Sequence, residues 1–133
     1  MIDYEAILKQ NPNGVLATQC GSEVRTRIFD YLFIEGNKVY FCTSSKKQVY
    51  AQIQANPSVS FCTYLPDFDP VLSINGKVVF VEDMALKTRA FDEKPVIKEI
   101  YGGPDNPVFV LFYIDIAEVQ TFNYKEGPKT YTV

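Results

Sequence analysis

The chain has 133 residues and a formal net charge of −3, which suits one folded core and argues against gripping duplex nucleic acid by counterion release. It has no histidine, and its three cysteines, Cys20, Cys42 and Cys62, stand far apart, which excludes the usual Cys/His zinc centre and any histidine-based triad. Ten Phe and nine Tyr without a Trp bias the chain toward strands.

Each cysteine sits in an apolar run and reads as a reduced, buried thiol, which fits a cytoplasmic setting. The start, Met1-Ile2-Asp3-Tyr4-Glu5, is acidic and no signal-peptide core follows. The longest strongly apolar run, residues 108–114, is far short of the roughly 20 residues a membrane helix needs. A soluble protein with no membrane partner is expected.

In chain order, Asp3 caps a short helix with Tyr4, Ile7 and Leu8 as its buried stripe, and Asn11-Pro12-Asn13-Gly14 ends it. Residues 15–20 read as a strand, followed by a turn at Gly21-Ser22. Residues 24–34 read as one long strand, with Arg25, Arg27, Phe29, Tyr31 and Phe33 on one face. Val24, Thr26, Ile28, Leu32 and Ile34 take the other face, and Asp30 breaks the alternation. A hairpin turn at Glu35-Gly36-Asn37-Lys38 leads to a third strand, 39–43.

Ser44-Ser45 opens a helix that runs to Ala55, with Val49, Tyr50 and Ile53 inward, and Asn56-Pro57 stops it. A fourth strand covers 59–64, and a fifth covers 71–82 with a bulge or bend at Gly76. Between them, the proline-flanked Asp67 and Asp69 read as a turn rather than as paired carboxylates. Asp83 caps a helix over 85–91, Pro95 starts another that ends near Gly102-Gly103, and Pro107 introduces a last strand, 108–122. The tail, 125–133, is expected to be polar and loose. Six strands with short helices at their connections predict a mainly β (α+β) fold, a closed or nearly closed antiparallel barrel, in one domain over 1–133.

Two clusters carry chemistry. In Thr43-Ser44-Ser45-Lys46-Lys47-Gln48, Ser45 and Gln48 match a capping box, which places Lys46 and Lys47 in the first turn of a helix. Cations are disfavoured there, because a helix start carries partial positive charge. A bound phosphate would resolve the conflict, taking backbone N–H bonds, hydroxyls and lysine charge; lysines pointing into water are the plainer reading. Arg25 and Arg27 share one strand face with aromatic neighbours, which suits a flat anionic ligand as well as it suits a charged sheet edge. A meander brings both clusters together. Cys42, beside them, reads as a core thiol rather than a redox centre.

At these residues the sequence resembles the FMN-binding split-barrel proteins related to pyridoxamine 5′-phosphate oxidase. The resemblance rests on the order of Asn13-Gly14-Val15-Leu16-Ala17-Thr18, Val24-Arg25-Thr26-Arg27, Val39-Tyr40-Phe41-Cys42-Thr43, Lys47, Gln52-Ile53-Gln54-Ala55-Asn56-Pro57 and Val59-Ser60-Phe61. It implies an antiparallel split β-barrel with short flanking helices, forming a homodimer with FMN between the subunits. Arg25, Thr26, Arg27 and Ile28 would lie along the flavin, and Thr43, Ser44, Lys46 and Lys47 would form the phosphate segment, with Cys42 and Ser45 also in the cofactor site. Phe122 and Tyr124 would flank the partner's flavin. The family's Ser-Arg-Lys motif stands here as Ser45-Lys46-Lys47, and its C-terminal His is missing. The function implied is therefore an FMN-dependent oxidoreductase of unknown substrate rather than a true pyridoxamine-phosphate oxidase. The alternatives are a non-catalytic FMN sensor or carrier, or a barrel for haem or a deazaflavin, although haem lacks its usual histidine ligand.

Overall fold

Alternating buried and exposed residues build most of the sheet, and a computed structural model describes residues 2–133 of it. In chain order the elements are α1 (Tyr4–Gln10), β1 (Asn13–Cys20), β2 (Glu23–Asp30), β3 (Phe33–Glu35), β4 (Lys38–Ser44) and α2 (Gln48–Ala55). They continue with β5 (Ser58–Tyr64), a 3-10 turn at Pro66–Phe68, β6 (Val71–Val81), α3 (Met84–Glu93), α4 (Val96–Tyr101), β7 (Phe109–Asn123) and β8 (Gly127–Thr132). The strands are antiparallel in the order β2-β1-β5-β6-β7-β4-β3, with β8 added on β7. This is the mainly β fold, an antiparallel barrel with short helices, that the sequence predicts.

The long second strand is in fact two. Residues 23–30 pair with β1, whereas residues 33–35 pair with β4 at the far end of the sheet order. The switch occurs at Tyr31 and Leu32, where the Tyr31 N–H donates to the Pro12 carbonyl and the Leu32 N–H to the Tyr40 carbonyl. Tyr31, Leu32 and Phe33 are all buried, because the crossing runs between two apolar layers. Alternation fails there for that reason, and the crossing closes the sheet into a barrel.

The interior is filled by Leu16, Phe41, Phe61, Ile74, Phe112 and Ile114, each fully buried. A second apolar cluster lies outside, where α3 and α4 pack Ala90 and Ile97 against Leu32, Tyr40, Phe109 and Leu111. Strand β4 is thus covered on both sides. Asp3 and Asp83 cap their helices as expected, the first accepting from the Ala6 N–H and the second from the Ala85 and Leu86 N–H groups.

The register shift expected at Gly76 is present, and the extra residue lies on the facing strand: Asn75 pairs Glu118 while Gly76 pairs Ile116, leaving Ala117 without a partner on β6. Buried positions on β7 accordingly change parity, from Phe112, Ile114 and Ile116 to Val119 and Thr121. The tail expected to be loose instead forms β8. The Glu126 N–H donates to the Asn123 side chain, Lys129 pairs with Glu126 at 3.0 Å, and Gly127 supplies a φ of 70°. Polar composition concealed it, since an outer strand needs backbone pairing more than an apolar face.

A Cβ at Gly76 would stand 2.1 Å from the Asp115 carbonyl oxygen, a backbone atom that cannot swing away. Gly76→Ala should therefore cost about 1–3 kcal/mol, as overpacking does, read as a lower denaturant midpoint with an unchanged slope.

Candidate functional site

Closing the barrel by so short a crossing leaves a seam. Strand β2 ends the sheet on one side, and β4 loses its β3 neighbour beyond Tyr40. A cleft of about 690 Å³ occupies this seam, with Arg27 to Asp30 of β2 on one wall, Cys42 and Thr43 of β4 on the other, and Lys47 to Val49 at one end. Helix α4 lines the remaining side with Val96, Ile97, Ile100 and Tyr101.

One end gathers positive charge and unmet polar groups. Helix α2 starts at Gln48, two residues later than the Ser45 capping box predicts, with Lys47 in the capping position and no side-chain bond to the first turn. A tight turn takes Ser45 out of that role: the Lys47 N–H donates to the Ser44 carbonyl, the Lys46 N–H to Ser44 Oγ, and the Ser45 N–H to the Val108 carbonyl. Gln48 and Val49 of this uncapped start line the cleft beside Lys47, with no acidic residue in the first turn. Next to them Thr43 is 2% exposed, and its Oγ1 is a buried polar atom without a hydrogen-bond partner among the described residues. An unmet buried hydroxyl is costly. A ligand oxygen at this point would satisfy it.

Arg27 stands on the opposite wall. Its Nη1 donates to Thr18 Oγ1 and its Nη2 to Gln52 Oε1, both at 2.6 Å, and the Thr18 hydroxyl donates to the same Gln52 oxygen at 2.7 Å. Both partners are neutral. Burial and the like charge of Arg25 lower the Arg27 pKa, yet from so high a starting point the guanidinium stays charged.

The other end is apolar, formed by Leu32 and α4, and the only ion pair on its rim joins Lys94 to Asp30 at 3.2 Å among the described residues. Cys42 faces this region. Burial pushes its thiol up to about 11, against the weaker opposing pull of Lys47 and Lys94. At neutral pH it is a protonated, poorly nucleophilic group.

Of the residues singled out in the sequence, Arg27, Ile28, Cys42, Thr43 and Lys47 meet at the cleft. Arg25 lies outside it and pairs with Glu23 at 2.6 Å on the protein surface. Thr26 is on the outer sheet face opposite Ala17, Ser44 and Lys46 form the turn, and Ser45 lines a separate hollow with Tyr50 and Phe80. Phe122 and Tyr124 sit away from their own chain's cleft, in an aromatic group with Phe68 and Tyr64. Asp69 accepts from the Asn123 side chain at 3.2 Å, as a turn residue would. Sequence reasoning missed Thr18, Gln52, Lys94 and the α4 wall. Thr18 carried a signal, being polar at a position whose parity with Leu16 marks the inside, and Asp30 was visible as a break in alternation.

A sheet closed by one crossing, with a ligand-sized seam, defines a split β-barrel. The family model described as pyridoxamine 5′-phosphate oxidase matches residues 2–123, and the chain belongs to that family. No curated protein matches the sequence closely enough to count as a relative. Among solved structures, a NimC/NimA family protein from Clostridium acetobutylicum is 23% identical with a TM-score of 0.87, covering 98% of this chain and 90% of its own. An FMN-binding, pyridoxamine 5′-phosphate oxidase-related protein from Nostoc punctiforme is 17% identical with a TM-score of 0.65, covering 100% and 97%. A haem-binding protein from Mycobacterium smegmatis is 15% identical with a TM-score of 0.77; the alignment covers 95% of this chain and 55% of that one. At these identities the likeness is one of fold.

Raising the Cys42 pKa from 9.0 to about 11 favours the protonated folded state, so its stabilising effect is whole below pH 9 and is lost as pH rises toward 11. Wild type should lose about 2–3 kcal/mol more stability than Cys42→Ala across that interval, measured by chemical denaturation at each pH. Cys42 should also resist alkylation at pH 7.5 while the protein is folded.

Proposed function

We propose that the cleft holds FMN, with its phosphate at the start of α2 and its ring along β2, and that the protein is an FMN-dependent oxidoreductase. The observation that carries this reading is the unpartnered Thr43 hydroxyl, buried beside an uncapped helix start and Lys47 in a cleft that Arg27 also lines. Unmet donors and cations not neutralised by a carboxylate converge there, as a phosphate requires. The apolar far end, with Leu32 and α4, suits a flat ring.

When bound, FMN supplies the electron or hydride transfer. The chain's own residues bind and orient it. Lys47 and the α2 N–H groups hold the phosphate, Thr43 Oγ–H donates to a phosphate or ribityl oxygen, and Arg27 adds charge from β2. Leu32 and α4 would keep water from the ring. No histidine is present, and the Cys42 thiol holds its proton, so neither supplies a proton to the ring at neutral pH. The want of a histidine or a reactive thiol favours a second reading, a non-catalytic FMN carrier or sensor. A haem reading is less well served, since an axial thiolate would need Cys42 deprotonated.

A homodimer completes the picture. The outer face of β2, β1 and β5 exposes Val24, Ile28 and Val15 beside small uncharged residues such as Ala17, Ser60 and Cys62. A second copy would cover this face at the mouth of the cleft, and Phe122 and Tyr124 would then approach the partner's flavin.

Purified protein titrated with FMN should bind it with quenched flavin fluorescence. Thr43→Val and Lys47→Ala should each weaken FMN by about 1–3 kcal/mol. A preparation that takes up no flavin at micromolar concentration rejects the reading. Steady turnover with a reduced nicotinamide and an electron acceptor separates the oxidoreductase from the carrier.

A further inference from the structure

A half-buried arginine is ordinarily met by a carboxylate, because the cost of desolvating a guanidinium is offset most readily by an opposite charge. Arg27 is met by none. Its two close partners are a threonine hydroxyl and a glutamine carbonyl, both at 2.6 Å, on residues that are themselves buried, Thr18 at 1% and Gln52 at 8% exposure. The hydroxyl of Thr18 also closes the triangle by donating to Gln52 Oε1 at 2.7 Å. The polarity of this triangle is fixed: guanidinium can only donate, so the glutamine must present its oxygen and the threonine must donate onward. Three elements are tied together by it, with Arg27 on β2, Thr18 on β1 and Gln52 on α2, one turn along from the helix start that faces the cleft.

We infer that Thr18 and Gln52 are positioning residues that hold Arg27 by neutral acceptors, so that its full charge is reserved for the ligand, and that they thereby set a preference for a phosphorylated flavin over an unphosphorylated one. The inference rests on the FMN reading above. A carboxylate in place of Gln52 would hold the guanidinium as firmly but would cancel its charge. The neutral pair fixes direction without that cancellation. A purely structural brace would have no use for neutrality, and a glutamate would serve it equally well.

The test compares FMN and riboflavin binding by fluorescence quenching in the full chain, for wild type, Gln52→Glu, Thr18→Val and Thr18→Ser. Wild type should prefer FMN at least about a hundredfold, as expected for a phosphate met by two cations. Gln52→Glu, which places a carboxylate against Arg27 at nearly unchanged size, should keep the fold and leave riboflavin affinity as it was. Its FMN affinity should fall about tenfold, with a weaker dependence on added salt. Thr18→Val should lower FMN affinity about fivefold, and Thr18→Ser should restore it. A folded Gln52→Glu with an unaltered FMN-to-riboflavin ratio overturns the inference and leaves the FMN reading standing. If Gln52→Glu does not fold, the threonine pair decides, since equal FMN binding by Thr18→Val and wild type overturns it as well. Wild type that binds neither flavin, or both equally, is a separate result, and it removes the FMN reading itself.

Discussion

The crossing at Tyr31 and Leu32 governs this molecule. A strand that pairs at one end of a sheet and, two residues later, at the other end closes a barrel. It cannot also supply backbone partners along the whole seam. What the crossing leaves open becomes the cleft, and every group on its walls is placed by that opening. Thr43 lies where β4 has passed beyond β3, and Arg27 lies where β2 has no outer neighbour. The crossing is affordable because its three residues are apolar and buried between the barrel interior and the α3–α4 layer.

Charge follows from the same geometry. The chain is net acidic, yet the seam gathers Arg27 and Lys47 opposite each other without a carboxylate bonded to either among the described residues, while Lys94 is matched by Asp30 at the rim. Desolvated cations of this kind are stable only where neutral dipoles or a ligand share the cost. Arg27 has Thr18 and Gln52 to do so. The α2 start has nothing comparable among the described residues, and the proposed phosphate would supply it.

Much of this was legible in the residues. The strand-forming runs, the caps Asp3 and Asp83, the stop at Asn56-Pro57 and the irregularity at Gly76 each follow from local rules, and local rules hold where one face of a strand meets one core. They fail where two cores meet, as at residues 31–33, where burial on both sides erases alternation. The Ser45 capping box failed for a different reason. The Ser45 N–H is drawn to Val108, a residue far along the chain, and the helix begins only after that bond is made. In the cleft, Arg27 and Lys47 were readable from charge and spacing, whereas Lys94 was not. The apolar α4 wall was not, because its residues look like any small amphipathic helix until tertiary packing turns them toward the seam.

Burial of β4 on both sides has a mechanical side. Val39, Tyr40, Phe41 and Thr43 have almost no contact with solvent, and their rings interlock with Phe112, Tyr113 and Phe33. The wall that carries Thr43 is therefore stiff. Across from it, α4 is a six-residue helix with Ile100 largely in water. Any adjustment to the outline of a guest must come from the helical side, so one wall acts as a fixed gauge and the other as the part that yields.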